Sequence, residues 1–433
     1  MFRIIYKYND KNTSGVNLAQ ESYTFEEITQ LLYWKDSYSE KYRNFTFSKS
    51  VYDPALPGEI CLFPIDFQST PFESILDTVK KICSSAQKHY PNNKKIILIY
   101  TTTEPFIFKQ TDDAILNLAK KFSDLTFVLS GSGHTQITET AEKILALPNV
   151  TLLNKLWYFD RVHYNKSVLE LKDHHFKEEE VEPDRHTPDY ITCPNKFLLT
   201  MRNPRPHRMI MSYLVENSKT LDATRYSRNW SFKALHIKNM LENNDIEQQE
   251  SIYQTHLILN TLDVLREYLD DKTFLKILDT ALDHTHILDM PNVSDKGLPA
   301  KWLYDNINIA IIAGGEGEGY GYADEKQMIP IYFKKPFISF GCKGMNEEME
   351  KIDFDVFRDC WDLSWSNAES LYERVNGCHE LMKKLQALPL DDMVNVLEKT
   401  QKGIHKNYEH MTSGAFRIKS NENFLKGLED ACS

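Results

Sequence analysis

Along the chain, short apolar runs alternate with stretches in which hydrophobic residues recur every three or four positions. Between residues 59 and 160 the runs are "EICLFPIDF", "KKIILIY", "LTFVLSG" and "VTLLNKLWYF". Between them lie "FESILDTVKKICSSAQKHY", "DAILNLAKKF" and "ITETAEKILAL", each with helical periodicity. Strand, helix, strand at this spacing means parallel pairing, because each crossover needs a helix to return the chain.

Residues 172–190, "KDHHFKEEEVEPDRHTPDY", offer almost nothing to bury and set two prolines within a charge run, which reads as a linker. The alternation then resumes. "KFLLTM" is a strand, and "PHRMIMSYLVEN" a helix with Pro206 suited to its first turn. Amphipathic segments fill 233–290, "NINIAII" and "PFISFG" read as strands on either side of a helix entered at Asp324, and the remainder is helical in pattern. The order predicts two doubly wound α/β domains: an N-terminal domain over 1–171, the linker, and a C-terminal domain over 191–390. Helices over 391–433 follow, free to pack back on the first domain.

Length agrees, since 433 residues exceed what one hydrophobic core usually holds. With 51 Lys and Arg against 62 Asp and Glu, the net charge of -11 opposes indiscriminate binding to a polyanion, while a local basic patch can still take a phosphate. Seven widely spaced cysteines without a CxxC pair read as reduced thiols. The first ten residues are too short and polar for a secretory signal, and no run approaches the ~18 apolar residues of a membrane span. A soluble cytoplasmic protein is the expectation.

In open parallel sheets ligands bind beyond the carboxyl ends of the strands, which singles out the loops "TTTEPF", "SGSGHT", "RNPRPHR" and "GGEGEGYGYADEK". The third concentrates Arg202, Arg205, His207 and Arg208, and guanidinium forks match phosphate oxygens in a bidentate way. The fourth is no dinucleotide fingerprint: Glu316 and Glu318 would repel a pyrophosphate, yet they can accept hydrogen bonds from hydroxyls, and glycine permits close approach by a sugar or base. It leads into Asp324-Glu325-Lys326-Gln327, a near capping box whose helix start favours a phosphate and to which Lys326 adds a full positive charge. Pro330 is expected to kink that helix early.

Glu104 after "KKIILIYTTT" and His134 after "LTFVLSGSG" are the candidate general bases toward a hydroxyl. "IDFDVF" reads as a short strand with Asp353 and Asp355 on one face, the spacing either of a metal-binding pair or of an ordinary half-buried strand. His284 and His286 lack the spacing of a helical zinc site.

Taken together, Glu325-Lys326, "MIPIYFKK" and "PFISFG", preceded by the turn from Arg202 to Arg208, resemble glycosyltransferases of the two-Rossmann-domain, GT-B type. The likeness is to the fucosyltransferase-like proteins of phages, large viruses and bacterial surface-glycan clusters. "IDFDVF" and "YERV" are looser counterparts of a downstream strand and an arginine-bearing helix, and the resemblance covers about residues 196–386. It implies an α/β fold of two Rossmann-like doubly wound domains facing a cleft. A nucleotide-diphosphate sugar would be held by the second domain, with Arg202, Arg205 or Arg208 on the phosphates and Glu325-Lys326 on ribose and pyrophosphate. The acceptor, a glycan or other hydroxyl, would sit on the first domain. A hydroxymethylated DNA base is a further acceptor, disfavoured by the net charge. Inversion at the anomeric carbon is implied, and the aspartate pair then falls on a strand rather than a metal loop, so neither metal nor other cofactor is expected. Two rival readings remain open at this point: a glycoside hydrolase using Glu316 and Glu318, and a sugar- or nucleotide-binding protein without turnover.

Overall fold

The computed structural model describes residues 2–5, 45–48, 55–66, 72–101, 112–131, 133–134, 139–156, 195–201, 205–228, 265–267, 269–283, 304, 307–314, 317, 319–321, 323 and 325–433. The chain divides into two compact units. Unit 1 comprises Met1–Glu170, Gly319–Tyr322 and Gly414–Ser433, and unit 2 comprises Leu171–Glu318 and Ala323–Ser413.

Unit 1 holds strands β1 (Phe2–Ile5), β2 (Phe45–Ser48), β3 (Ile60–Asp66), β4 (Lys94–Tyr100), β5 (Thr126–Gly131) and β6 (Val150–Asn154). They form one sheet in the order β2-β1-β3-β4-β5-β6, parallel throughout. Helices α1 (Phe72–His89), α2 (Asp112–Lys121) and α3 (Glu139–Leu145) make the crossovers between β3 and β6. Because successive strand residues point to opposite faces, the apolar runs split into two cores. Cys61, Phe63, Ile97, Ile99, Phe127 and Leu129 pack with Val79, Ile82, Ile115, Leu118 and Ile144 of the crossover helices. Their neighbours Leu62, Ile96, Leu98, Tyr100 and Val128 meet Phe424 and Leu428 instead. Those two belong to the helix Ala415–Ala431, so the second face of this sheet is covered by a segment far along the chain.

Unit 2 is built on β7 (Asn195–Met201), β8 (Thr224–Arg228), β9 (Ile307–Ala313) and β10 (Phe337–Phe340), in the parallel order β10-β9-β7-β8. β9 is buried at every position, as its uniformly apolar sequence requires. Its helices are α4 (Pro206–Glu216), α5 (Asp271–Asp283), α6 (Glu325–Tyr332), α7 (Met345–Lys351), α8 (Leu371–Ala387) and α9 (Leu390–Thr412); α10 is the unit 1 helix Ala415–Ala431. In both sheets the first strand of the unit lies between the second and third, the arrangement of doubly wound, Rossmann-like folds. Each sheet thus has a switch point, at β1/β3 and at β7/β9, where the connections depart to opposite sides and leave a crevice at the carboxyl ends.

The carboxyl-terminal end of α4 is fixed by a buried ion pair. Arg228 is fully buried and donates Nε to Glu216 Oε1 at 2.5 Å, and Nη2 to Glu216 Oε2 at 3.0 Å and to the Thr280 carbonyl at 2.8 Å. Tyr226 and Ser212 hydroxyls donate to the same Oε1 at 2.7 and 2.8 Å. A buried charge is tolerated only with its bonds met, and here strand β8 and helices α4 and α5 supply them.

Three features depart from the sequence reading. β1 and β2, of four residues each, and β8, "TRYSR", carry too short or too polar a pattern to read as strands. "IDFDVF" is not a strand: Asp353 (φ 69°) and Phe357 (φ 64°) are left-handed, and the segment is irregular after α7. Its apolar residues Phe354, Val356 and Phe357 are buried all the same, which explains the misleading alternation. The third is α6, which continues through Pro330 to Tyr332; the helix ends so soon afterwards that few bonds are at stake. His284 and His286 lie outside the described residues.

Removing one member of the buried pair strands the other. Arg228→Met is expected to cost about 3–5 kcal/mol in urea unfolding, and adding Glu216→Leu to recover a large part of it. Strictly additive losses would deny the coupling.

Candidate functional site

The crevice of sheet 2 is formed where β7 and β9 end. β7 stops at Met201 and the chain re-enters a helix at Pro206, whose fixed φ suits a first helical position. Arg205, extended at φ -91° and ψ 156°, is the N-cap of α4, and its carbonyl accepts from Arg208 N–H at 3.0 Å and Met209 N–H at 2.9 Å. His207 and Arg208 therefore leave the first turn of α4 side by side. β9 ends at Ala313, and the Gly314 N–H donates to the Phe340 carbonyl at 3.1 Å, which prolongs the ladder by one residue before the glycine loop departs.

These two ends are joined by side chains. His207 Nε2 lies 2.8 Å from the Gly314 carbonyl, and Arg208 Nη2 donates to the same oxygen at 2.7 Å and to the Ala313 carbonyl at 3.4 Å. A carbonyl only accepts, so His207 carries its proton on Nε2, and Nδ1 is an acceptor with no hydrogen-bond partner among the described residues. Gly317 crosses over that side of the ring: a Cβ built on it would fall 2.9 Å from His207 Cγ and closer still to Nδ1. Glycine is needed here for close approach.

The loop is held from the far side by α8. Arg374, 4% exposed, donates to the carbonyls of Gly317 (3.0 Å), Gly341 (2.8 Å), Ala368 (2.7 Å) and Glu369 (2.8 Å). This is the arginine of "YERV", and its guanidinium is spent on backbone oxygens, fastening three loops at the edge of sheet 2.

Lys326 stands in the first turn of α6, half-buried, beside the fully buried Gln327, whose Nε2 donates to Met345 Sδ at 3.0 Å. Its charge reaches the same place as the arginines. Burial, then the Arg208 charge, hold His207 well below the ordinary imidazole range; Arg205 and Lys326 add to this, while the Gly314 carbonyl opposes it. His207 is thus a neutral ring among three cations. Arg205, Arg208 and Lys326 each act on it by charge; Arg202, Glu316 and Glu318 lie outside the described residues, and Glu325 opens α6 with its backbone alone described.

His134 lies in unit 1, beyond the carboxyl end of β5, and is 7% exposed. Its N–H donates to the Tyr320 carbonyl at 3.0 Å, the Tyr320 N–H returns a bond at 2.8 Å, and the two rings stack with centroids 5.6 Å apart and 18° between planes. Tyr320 comes from the glycine loop, whose residues Gly319–Tyr322 group with unit 1. Glu104 lies outside the described residues. Of the aspartate pair, Asp355 Oδ1 accepts the Phe357 N–H at 2.7 Å, and Asp353 occupies the left-handed turn. Among the described residues no three of His, Cys, Asp and Glu group closely enough to hold a metal. Their six cysteines are all unbonded, and none of their helices is long and apolar enough to cross a membrane.

His207 and Arg374 are the residues that sequence reasoning left without a role. His207 was visible as a histidine set between arginines after a proline. For Arg374 the signal was the loose match of "YERV" to an arginine-bearing helix, which carried no role for the guanidinium.

No family model matches the chain, and no curated protein does. Among solved structures, the chain aligns with a DNA-modifying β-glucosyltransferase, studied in the presence and absence of uridine diphosphoglucose, at 14% identity and a TM-score of 0.33, covering 99% of this chain and 100% of that one. It also aligns with the apo form of the lipopolysaccharide outer core galactosyltransferase WaaB at 8% identity and a TM-score of 0.34, covering 96% and 99%. Similarity this low decides nothing about chemistry. The Rossmann-like character of the two units, each built on a parallel sheet, stands on the strand orders themselves.

Titration of His207 has a defined sign. Its folded pKa is depressed, so below about pH 6.5 the unfolded chain binds a proton that the folded one refuses. The associated stability is complete above that pH and is lost as pH falls through it; His379 and His410, both lowered chiefly by burial, act in the same direction. Unfolding free energy should fall from pH 7 to 5, and His207→Gln, which keeps an N–H for Gly314 but does not titrate, should flatten the slope by up to about 1.4 kcal/mol per pH unit. Urea titrations across that range measure it; an unchanged slope would mean His207 protonates normally in the fold. Gly317→Ala should displace the loop and cost about 1–3 kcal/mol in the same assay.

Proposed function

We propose that this protein transfers a sugar from a nucleotide-diphosphate donor to an acceptor hydroxyl. What supports this reading most is that the turn bearing Arg205 and Arg208 and the α6 start bearing Lys326 both act by charge on the buried His207, at the switch point of sheet 2 where a diphosphate would be favoured.

In the reaction so read, the acceptor oxygen bonds to the anomeric carbon as the bond from that carbon to the phosphate oxygen breaks. The electron pair departs with the diphosphate, and in-line attack inverts the centre. Charge growing on the leaving group is stabilised by Arg205 and Lys326, joined by Arg202, with α4 presenting the positive end of its dipole. Arg208 contributes mainly by holding the loop, since it donates to Gly314 and Ala313. Glu325, Glu316 and Glu318 are assigned to donor hydroxyls. A cationic set of this kind does for the leaving diphosphate what a divalent ion does elsewhere, which favours a metal-independent reaction. The acceptor proton goes to a base on the unit 1 side, His134 or Glu104.

A thermal-shift screen against uridine, guanosine and cytidine diphosphates and their sugar conjugates, with and without manganese, tests the reading. A ligand at a hundredfold its Kd stabilises the fold by about 2.7 kcal/mol. One nucleotide should shift the Tm without manganese, and Arg205→Ala or Lys326→Ala should abolish the shift. If no nucleotide diphosphate moves the Tm, the proposal fails.

A further inference from the structure

We infer that Tyr320 is a positioning residue for His134: a reciprocal backbone bridge and a stacked ring hold the histidine, and the hold is carried by the glycine loop. This rests on the reading of His134 as the acceptor-side base. An isolated antiparallel bridge, His134 to Tyr320, joins residues far apart in sequence with both of its hydrogen bonds made, at 3.0 and 2.8 Å. It fixes the backbone from which the imidazole projects. The ring stack at 5.6 Å then covers one face of the imidazole and limits its rotation. A base must be held to within about half an ångström and 10–20° of its productive geometry.

Tyr320 is only half-buried, and the chain reaches it through Gly319 (φ 92°) and leaves through Gly321 (φ 70°), conformations that few other residues adopt. Three positions before Tyr320 is Gly317, seated on His207 and held by Arg374.

The test uses the full chain with ring-labelled histidine. In wild type, NMR should show the His134 ring protons displaced by the Tyr320 ring current; Tyr320→Ala should abolish the displacement and Tyr320→Phe keep it, with His134→Gln identifying the signal. In the transfer assay Tyr320→Ala should lower kcat about tenfold to a hundredfold with donor KM nearly unchanged, and Tyr320→Phe should restore most of it. An absent ring-current displacement or equal kinetic losses in both variants would each overturn the inference. Absence of transfer with every nucleotide sugar would instead overturn the reading of function, while the ligand-free NMR comparison still decides whether Tyr320 holds His134.

Discussion

A single carbonyl, that of Gly314, receives both His207 Nε2–H and Arg208 Nη2. The crevice of sheet 2 depends on that double contact. It draws the start of α4 against the end of β9, sets where the glycine loop begins, and obliges His207 to be neutral and of one tautomer. Exchange of the imidazole for a cation would add a further charge to those of Arg205, Arg208 and Lys326 at a fully buried position, where screening is weak. A donor without charge is the solution the fold has adopted. Arg374 completes the arrangement from the opposite side, where four backbone carbonyls take up a guanidinium that would otherwise be costly to bury.

Much of the fold was legible because its signals are local. β3 to β6 and β9 are continuous apolar runs, and the helices between β3 and β6 carry clear 3.6-residue periodicity, so type and order could be read directly. What escaped was decided by distant partners. β8 looks polar because Arg228 faces inward onto Glu216, more than ten residues before it on another element. "IDFDVF" alternates like a strand, but its left-handed Asp353 and Phe357 let neighbouring apolar residues enter the core together, and period-two patterning is blind to that. At the site, the residue types were visible and their neighbours were not. The glycine loop starts beside α4 because β9 pairs with β7, a matter of strand order that no local pattern encodes.

Charge organises the chemistry at two scales. The chain as a whole is acidic, which keeps it off indiscriminate polyanions, while the crevice concentrates cations on a neutral ring. In the proposed reaction that contrast favours a small, multiply charged ligand over an extended one. The acidic residues of the loop, Glu316 and Glu318, reinforce it by accepting hydroxyls rather than phosphates in the proposed reaction.

The helix Ala415–Ala431 carries a consequence for biosynthesis. It supplies Phe424 and Leu428 to one face of the sheet in unit 1, yet it leaves the ribosome only after every strand of unit 2 has been made. Leu62, Leu98 and Val128 therefore gain this part of their packing only at the end of translation, so the amino-terminal unit is completed last. Nascent chains would spend that interval as clients of holding chaperones.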